Sequence, residues 1–191
     1  IRADRSLLTG FSWEHTPGGI GWLVGTNGSG KSSLLRVLAG WQHASSGEVE
    51  WVGVGSDVLH YFNPAMSAGG DLRVAHFVAL IESLLDTPAD PRVAKLFPET
   101  VPGAKRFGQL STGEAKRILL WAVLRSGRGP LLLDEPYEHL SRDAKTTLTE
   151  VLQSRATQEI VIVATNQDVP ERSTDTLLRF EGDRIEVTHA P

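Results

Sequence analysis

The feature that most constrains this chain is a glycine-rich run of eight residues that satisfies the pattern G-x-x-x-x-G-K-[ST]. Its members are Gly25, Thr26, Asn27, Gly28, Ser29, Gly30, Lys31 and Ser32. An apolar run that predicts a buried strand precedes it at 20–24, and an amphipathic stretch that predicts a helix follows at 31–39. Glycines let successive backbone N–H groups turn inward, and a helix N-terminus favours an anion. The run therefore predicts a cradle for the phosphate groups of a nucleotide.

The polar side chains of this cradle have separate expected roles. We expect Lys31 to reach the β- and γ-phosphates and the Ser32 hydroxyl to bind Mg²⁺. Ser33, the next residue of the predicted helix, is a further candidate for nucleotide binding. The alternative is a glycine-rich turn that caps an ordinary helix. The strand before the run and the helix after it favour the cradle.

A second candidate element is an apolar strand that ends in two acids, Asp134 and Glu135. Ligands of open α/β sheets bind at the carboxyl ends of the strands, which is where these acids lie. We expect Asp134 to hold Mg²⁺ through water, and Glu135 to orient or deprotonate an attacking water. Apolar strands that end in acids are common in ordinary proteins. Here the acids follow a phosphate cradle by roughly a hundred residues, which favours the catalytic interpretation.

The segment 110–114, with the sequence LSTGE, narrows the class of nucleotide-binding protein. Ser111 and Gly113 at the start of a predicted helix expose N–H groups and a hydroxyl to an anion. The alternative is an ordinary capping box, with Ser111 as N-cap and Glu114 as the third helical residue. The two interpretations are compatible.

Taken together and in this order, the three motifs resemble those of the nucleotide-binding subunit of ABC transporters. The family form of the third motif is LSGGQ, and this chain has Thr112 and Glu114 at the two positions that differ. The resemblance implies an ATPase that binds Mg-ATP, forms a head-to-tail homo- or heterodimer with a second ATP-binding subunit, and drives a membrane-spanning permease. It also implies that Ser111 and Gly113 contact the nucleotide of the second subunit. The segment 61–64 and the short length resemble the haem-exporter subunit of cytochrome c biogenesis.

The resemblance and the pattern of elements predict an α/β fold of the P-loop NTPase type, with a parallel sheet, an antiparallel β edge and an inserted helical lobe. We expect one domain over 1–191, with a core at 1–63 and 126–191 and a helical lobe at 64–125. Alternating apolar residues predict strands around Phe11 and Trp13, around Val49 and Trp51, and at 58–62, which would form a strand-rich lobe around one helix. A hairpin is predicted around 181–184.

Three positions depart from the family pattern. Asn63 stands where the family has a Gln that serves the metal and the reaction, and its alternative role is a turn residue before Pro64. Ser141 replaces the Asp of the loop that follows the acidic strand. Asn166 stands at the position of the switch His, and it can bond a γ-phosphate but cannot carry a proton. An ordinary loop at 166–167 is the alternative.

The composition excludes several other classes. The chain of 191 residues has a formal net charge of −4, which argues against a nucleic-acid partner. It has no cysteine, so a disulfide scaffold, a zinc-thiolate site and a thiol nucleophile are excluded. Its longest apolar run, 118–124, falls well short of the about 20 residues that span a bilayer. We therefore expect a cytoplasmic protein, held at the inner face of the membrane by its partner. The histidines have no metal-like spacing and are predicted to be surface residues.

Three alternative functions remain open at this point. The changes at Asn63, Ser141 and Asn166 would suit a regulatory or structural subunit that binds ATP with little hydrolysis, although the intact Glu135 argues against complete loss. A soluble ABC protein of translation or DNA repair would need a second cassette or a long coiled coil between Lys31 and Ser111. A P-loop kinase would make the segment 110–114 coincidental.

Overall fold

The computed structural model describes residues 11–52, 58–85, 90–98, 103–169, 172–181 and 184–189. Within these ranges, six strands form one sheet: β1 (Ile20–Gly25), β2 (His60–Phe62), β3 (Leu131–Asp134), β4 (Val161–Thr165), β5 (Thr176–Glu181) and β6 (Arg184–His189). Their order in the sheet is β2-β3-β4-β1-β5-β6, and β5 and β6 pair antiparallel while the other neighbours are parallel. This sheet confirms the predicted fold class, including the hairpin at the antiparallel edge.

Five α-helices and one short 3₁₀-helix (Phe107–Gln109) accompany the sheet in the described part of the chain. The α-helices are α1 (Lys31–Leu38), α2 (Val74–Ser83), α3 (Pro91–Ala94), α4 (Thr112–Arg125) and α5 (Arg142–Ala156). Serine N-caps start the two longest: Ser111 accepts a hydrogen bond from the N–H of Glu114, and Ser141 accepts one from Ala144. These bonds satisfy donors that a helix N-terminus leaves unpaired.

The parallel strands β2, β3 and β4 and most of β1 are buried on both faces, which explains why their sequences are largely continuous apolar runs. Side chains alternate between the faces, so Leu131 and Leu133 join the core beneath α4 and α5, whereas Leu132 joins the core beneath α1. Trp22 and Leu23 divide in the same way, and neither is exposed to solvent. The strand ends are thereby fixed by packing on two sides.

Two predicted strands do not form among the described residues. The segment around Phe11 and Trp13 is assigned to no strand there, although both side chains are half-buried against the α1 side of the sheet. The segment around Val49 and Trp51 also forms no strand, and Val49 is exposed. Alternating hydrophobicity reports which side of a chain is covered, and it does not require a hydrogen-bonded neighbour. The strand-rich lobe expected around α1 is therefore wrong for the described residues.

The segment 64–125 supplies α2, α3 and α4, as the sequence predicts, and the division into core and lobe stays a prediction. Much of α4 is buried in the same core as β3 and α5. His60 is buried rather than on the surface: β2 is an edge strand of the sheet, but all three of its residues are covered by the surrounding structure. Over the ranges given above, the structure contains no helix with the length and apolar character needed to cross a bilayer.

Candidate functional site

The glycine-rich run forms the connection between β1 and α1, at the carboxyl end of the central strand. Gly28 and Gly30 have φ angles of +82° and +111°, a region in which side chains with a Cβ are strained. A Cβ on Gly25 would lie 2.8 Å from the Cβ of Phe180 on β5, so the loop packs directly on the sheet. Gly30 is the N-cap of α1 and supplies no side-chain bond, which leaves the first N–H groups of α1 open to an anion.

Lys31 is the first residue of α1, and its side chain folds back across the loop. Its Nζ donates hydrogen bonds to the carbonyl oxygens of Gly25 at 2.8 Å and Thr26 at 3.1 Å. The same Nζ lies 3.5 Å from Oε1 of Glu135, and the residue is only 4% exposed. A single buried cation thus joins the glycine-rich loop to the acidic end of β3.

Asp134 ends β3 beside α1 and is buried. A hydrogen bond with the Ser32 hydroxyl favours its ionised form, but burial dominates and raises the pKa of Asp134. Its Oδ1 is buried and has no hydrogen-bond partner among the described residues. A carboxylate oxygen without a partner, next to a hydroxyl, matches the hard oxygen ligands that Mg²⁺ prefers. Asp134 and Ser32 therefore fit the metal that the sequence predicts at this place.

Glu135 follows directly and has an unusual backbone conformation, with φ at +46°. Its N–H donates to the carbonyl oxygen of Ala164 on β4 at 2.8 Å. Its Oε2 accepts the backbone N–H of Asn166 at 3.1 Å, while Oε1 faces Lys31. Burial raises the pKa of Glu135, against the opposing effects of Asn166 and Lys31. The carboxylate is held by donors from two other segments.

Asn166 lies just beyond the end of β4, next to the glycine-rich loop. Its side-chain Nδ2 donates to Oδ1 of Asn27 at 3.0 Å, across 139 residues of sequence. The neighbouring Gln167 accepts a hydrogen bond from Nζ of Lys145 on α5 at 2.7 Å. The structure thus brings Lys31, Glu135 and Asn166 into one connected network.

Asn63 follows β2, whose last residue is in register with Leu133 of β3. Its Oδ1 accepts the N–H of Ala65 at 2.9 Å, and its carbonyl oxygen accepts the N–H of Met66. These bonds confirm the interpretation of Asn63 as a turn residue at Pro64. Its part in metal binding and catalysis stays a prediction.

The segment 110–114 lies at the start of α4, with Ser111 and Thr112 exposed and its other residues half-buried. Ser111 Oγ accepts the N–H of Glu114 at 3.2 Å, and Glu114 Oε2 accepts the N–H of Ser111 at 2.8 Å, which is the capping box foreseen from the sequence. Lys105 lies 3.6 Å from the Glu114 carboxylate. A Cβ on Gly113 would approach the carbonyl oxygen of His139 to 3.0 Å, so this turn packs on the loop after β3.

Sequence reasoning missed one buried cation near this network. Lys116, in the second turn of α4, is 8% exposed, and its Nζ donates to the main-chain carbonyl oxygen of Glu135 at 2.6 Å. Burial lowers the pKa of Lys116, and the carboxylates of Glu138, Glu135 and Asp134 oppose that effect. The available signal was a lysine next to the apolar face of a predicted helix.

Comparison with known proteins shows the family to which a chain with these features belongs. The family described as ABC transporter matches residues 8–68. The cytochrome c biogenesis ATP-binding export protein CcmA of Rhodospirillum rubrum is 32% identical over 185 residues, which cover 88% of this chain and 77% of that protein. The zinc import ATP-binding protein ZnuC of Halorhodospira halophila is 32% identical over 199 residues, which cover 98% of this chain and 73% of that protein.

Solved structures agree on the fold. A bacterial Atm1-family ABC exporter with ATP bound matches 97% of this chain and 36% of its own, with a TM-score of 0.73 and 20% identity. An RNase-L inhibitor matches 90% of this chain and 34% of its own, with a TM-score of 0.66 and 21% identity. The chain belongs to the ATP-binding proteins of the ABC transporter family, and the CcmA proteins of several bacteria are among its relatives.

Proposed function

We propose that this protein is the ATP-hydrolysing subunit of an ABC transporter, with its reaction centre at the carboxyl ends of β1, β3 and β4. Membership of the family carries ATP binding and ATPase activity in general terms. The observation that carries the assignment to particular residues is the network around Glu135. Its carboxylate lies 3.5 Å from the cradle lysine Lys31 and accepts the N–H of Asn166 at 3.1 Å.

Binding begins at the glycine-rich cradle. Its N–H groups and the open N-terminus of α1 meet the negative charge of the phosphates, and Lys31 adds a full positive charge. Lys31 already bonds two carbonyl oxygens of the loop, so its ammonium is held where the phosphates pass. The contacting residues are those of the predicted cradle: Gly25, Thr26, Asn27, Gly28, Ser29, Gly30, Lys31, Ser32 and Ser33.

Hydrolysis transfers the γ-phosphoryl group to water, and the chain mainly positions and stabilises charge. Glu135 orients the attacking water and accepts its proton, and its raised pKa moves the carboxylate toward the pH range where proton acceptance is efficient. Ser32, Asp134 and Asn63 would hold Mg²⁺, which supplies charge neutralisation on the phosphate oxygens. Lys31 stabilises the charge that develops on the γ-phosphoryl group.

Asn166 sets the expected speed of the reaction. The family places a His here, and an Asn amide lacks both the positive charge and the proton transfer that a protonated His can offer to a γ-phosphate. In addition, the amide N–H₂ of Asn166 already donates to Asn27, so this bond competes with a γ-phosphate contact. We therefore expect slow turnover with near-normal ATP binding.

The proposed transport function requires partner subunits. Ser111 and Gly113 lie on an exposed turn at the start of α4 and would contact the nucleotide of a second ATP-binding subunit, in a head-to-tail dimer. A membrane-spanning permease would couple the dimer to transport, and it would hold this protein at the inner face of the membrane. The relatives include an export protein and an import protein, so the class of cargo is left to the permease.

Calorimetry and phosphate release test this proposal on the purified protein. ATP titrated in the presence of Mg²⁺ should bind with a saturable isotherm, and radiolabelled ATP should release phosphate slowly. Chelation of Mg²⁺ should abolish release. A protein that shows no heat of binding and no phosphate release at millimolar Mg-ATP would contradict the proposal. A different result would instead favour the regulatory subunit: the protein binds ATP, but it releases no more phosphate than the Glu135→Gln variant does.

A further inference from the structure

Both main-chain polar groups of Glu135 are bonded to other elements of the fold. The N–H donates to Ala164 of β4 at 2.8 Å, and the carbonyl oxygen accepts Nζ of Lys116 at 2.6 Å. Glu135 itself has φ at +46°, a conformation that a residue with a Cβ seldom adopts without support. The two anchors therefore fix the direction in which the Glu135 side chain leaves the backbone.

The side chain of Lys116 is buried and does not lie on the protein surface. It is 8% exposed, and its ammonium lies 5.9 Å from the centroid of the Phe62 ring on β2. The charged groups that face it are the carboxylates of Asp134, Glu135 and Glu138, with Lys145 as a like charge. A buried ammonium is retained where it has such partners, because a buried charge without them is costly.

The position of Lys116 along α4 adds a second link. Ser111 is the N-cap of α4, and Lys116 lies about 1.4 turns further on. On the proposed function, the same helix therefore carries both the turn that would contact a second subunit and the cation that holds the backbone of Glu135.

We propose that Lys116 is a positioning residue for hydrolysis: it ties the main-chain carbonyl of Glu135 to α4 and so aims the carboxylate at the attacking water. The inference rests on the proposed function, because it needs Glu135 to act on water. The hydrogen bond of Lys116 goes to Glu135 and not to the cradle, so the inference assigns Lys116 to the chemical step rather than to ATP binding.

The test separates the chemical step from binding. Lys116→Met keeps the length of the side chain and removes its charge, and we expect kcat to fall at least about tenfold while the Kd for ATP stays within about twofold. Lys116→Arg keeps a cationic donor and should retain kcat within about threefold. Arg117→Met is the matched control, because Arg117 is the next residue of α4 and donates to the carbonyl oxygens of Lys95 and Leu96 instead.

The Glu135→Gln variant, which lacks the carboxylate, distinguishes a positioning role of Lys116 from a general disturbance of the structure. In Glu135→Gln, the residual rate should be unaffected by adding Lys116→Met, because the lysine acts through the group already lost. An equal kcat for wild type and Lys116→Met, or an equal loss in Arg117→Met, would overturn the inference. So would a further fall in the Glu135→Gln background. A wild type that binds no ATP would overturn the proposed function itself.

Discussion

The carboxyl ends of the central strands and the start of α4 are both predicted to meet ATP, yet they are built in opposite ways. At the strand ends, Lys31, Asp134 and Glu135 are buried and held by contacts from several segments of the same chain. At the start of α4, Ser111 is exposed and Glu114 is half-buried, and the two bond mainly to each other. On the proposed function, the difference means that one chain would carry a nearly assembled reaction centre but only half of what would enclose a nucleotide.

The largest effect on kcat is expected from a substitution of Glu135, the proposed base in the buried region. Glu135→Gln keeps the size of the side chain and loses its ability to accept a proton, so kcat should fall by about 10²–10⁴-fold while ATP still binds. Steady-state phosphate release at saturating Mg-ATP measures the fall. An unchanged rate would mean that the network around Glu135 is not the reaction centre.

The next effect concerns affinity. Lys31→Ala removes the cation of the cradle, and a lost charge-assisted hydrogen bond is worth about 1.5–3 kcal/mol, or tenfold to over a hundredfold in Kd. Calorimetric titration of ATP into both proteins provides the measurement, and near-ultraviolet circular dichroism checks that the fold persists. Equal dissociation constants would contradict the cradle assignment.

Much of this contrast was predictable from the sequence, because its components are local. The G-x-x-x-x-G-K-[ST] run, the apolar strand before Asp134 and the capping box at Ser111 each follow from patterns within a few residues. The bonds of Lys116 to Glu135 and of Asn166 to Asn27 join positions 19 and 139 residues apart. Such contacts depend on how α4 and β4 pack, and no periodicity encodes them.

The predicted strand around Val49 and Trp51 failed for a related reason. Its alternating pattern is present, but Val49 is exposed, and no strand in the described part of the chain pairs with it. A strand needs a partner as well as a pattern. The positions of Asn63 and Asn166 were found only because the family places functional residues there.

A smaller effect is expected in the opposite direction at Asn166. Asn166→His offers a cationic donor in place of a neutral amide and removes the bond to Asn27, so turnover should rise about tenfold, the equivalent of 1.4 kcal/mol in the barrier. Phosphate release from both proteins checks it, with Asn166→Ala as the control. A fast wild type whose rate Asn166→Ala leaves unchanged would place the switch elsewhere.

The smallest effect lies outside the site, at the opposite end of β2. Burial lowers the pKa of His60, with a further contribution from Arg155 that is opposed by the Arg128 carbonyl. The unfolded chain then binds more protons than the native one, so the free energy of unfolding falls as pH drops through about 6.5 and levels off below the native pKa. In His60→Gln this contribution is absent. Thermal unfolding from pH 8 to 5 should show a difference in slope worth at most about 2–4 °C, and identical slopes would contradict it.

The most direct test of the account asks whether a second copy of this chain binds the same nucleotide through the start of its α4. Glu135→Gln should bind Mg-ATP without consuming it, so the nucleotide should stay trapped between the cradle of one subunit and Ser111 and Gly113 of the other. Size-exclusion chromatography with light scattering should then show a monomer without nucleotide and a dimer with Mg-ATP. Glu135→Gln that binds ATP by calorimetry, yet remains monomeric at high protein concentration, would contradict the account.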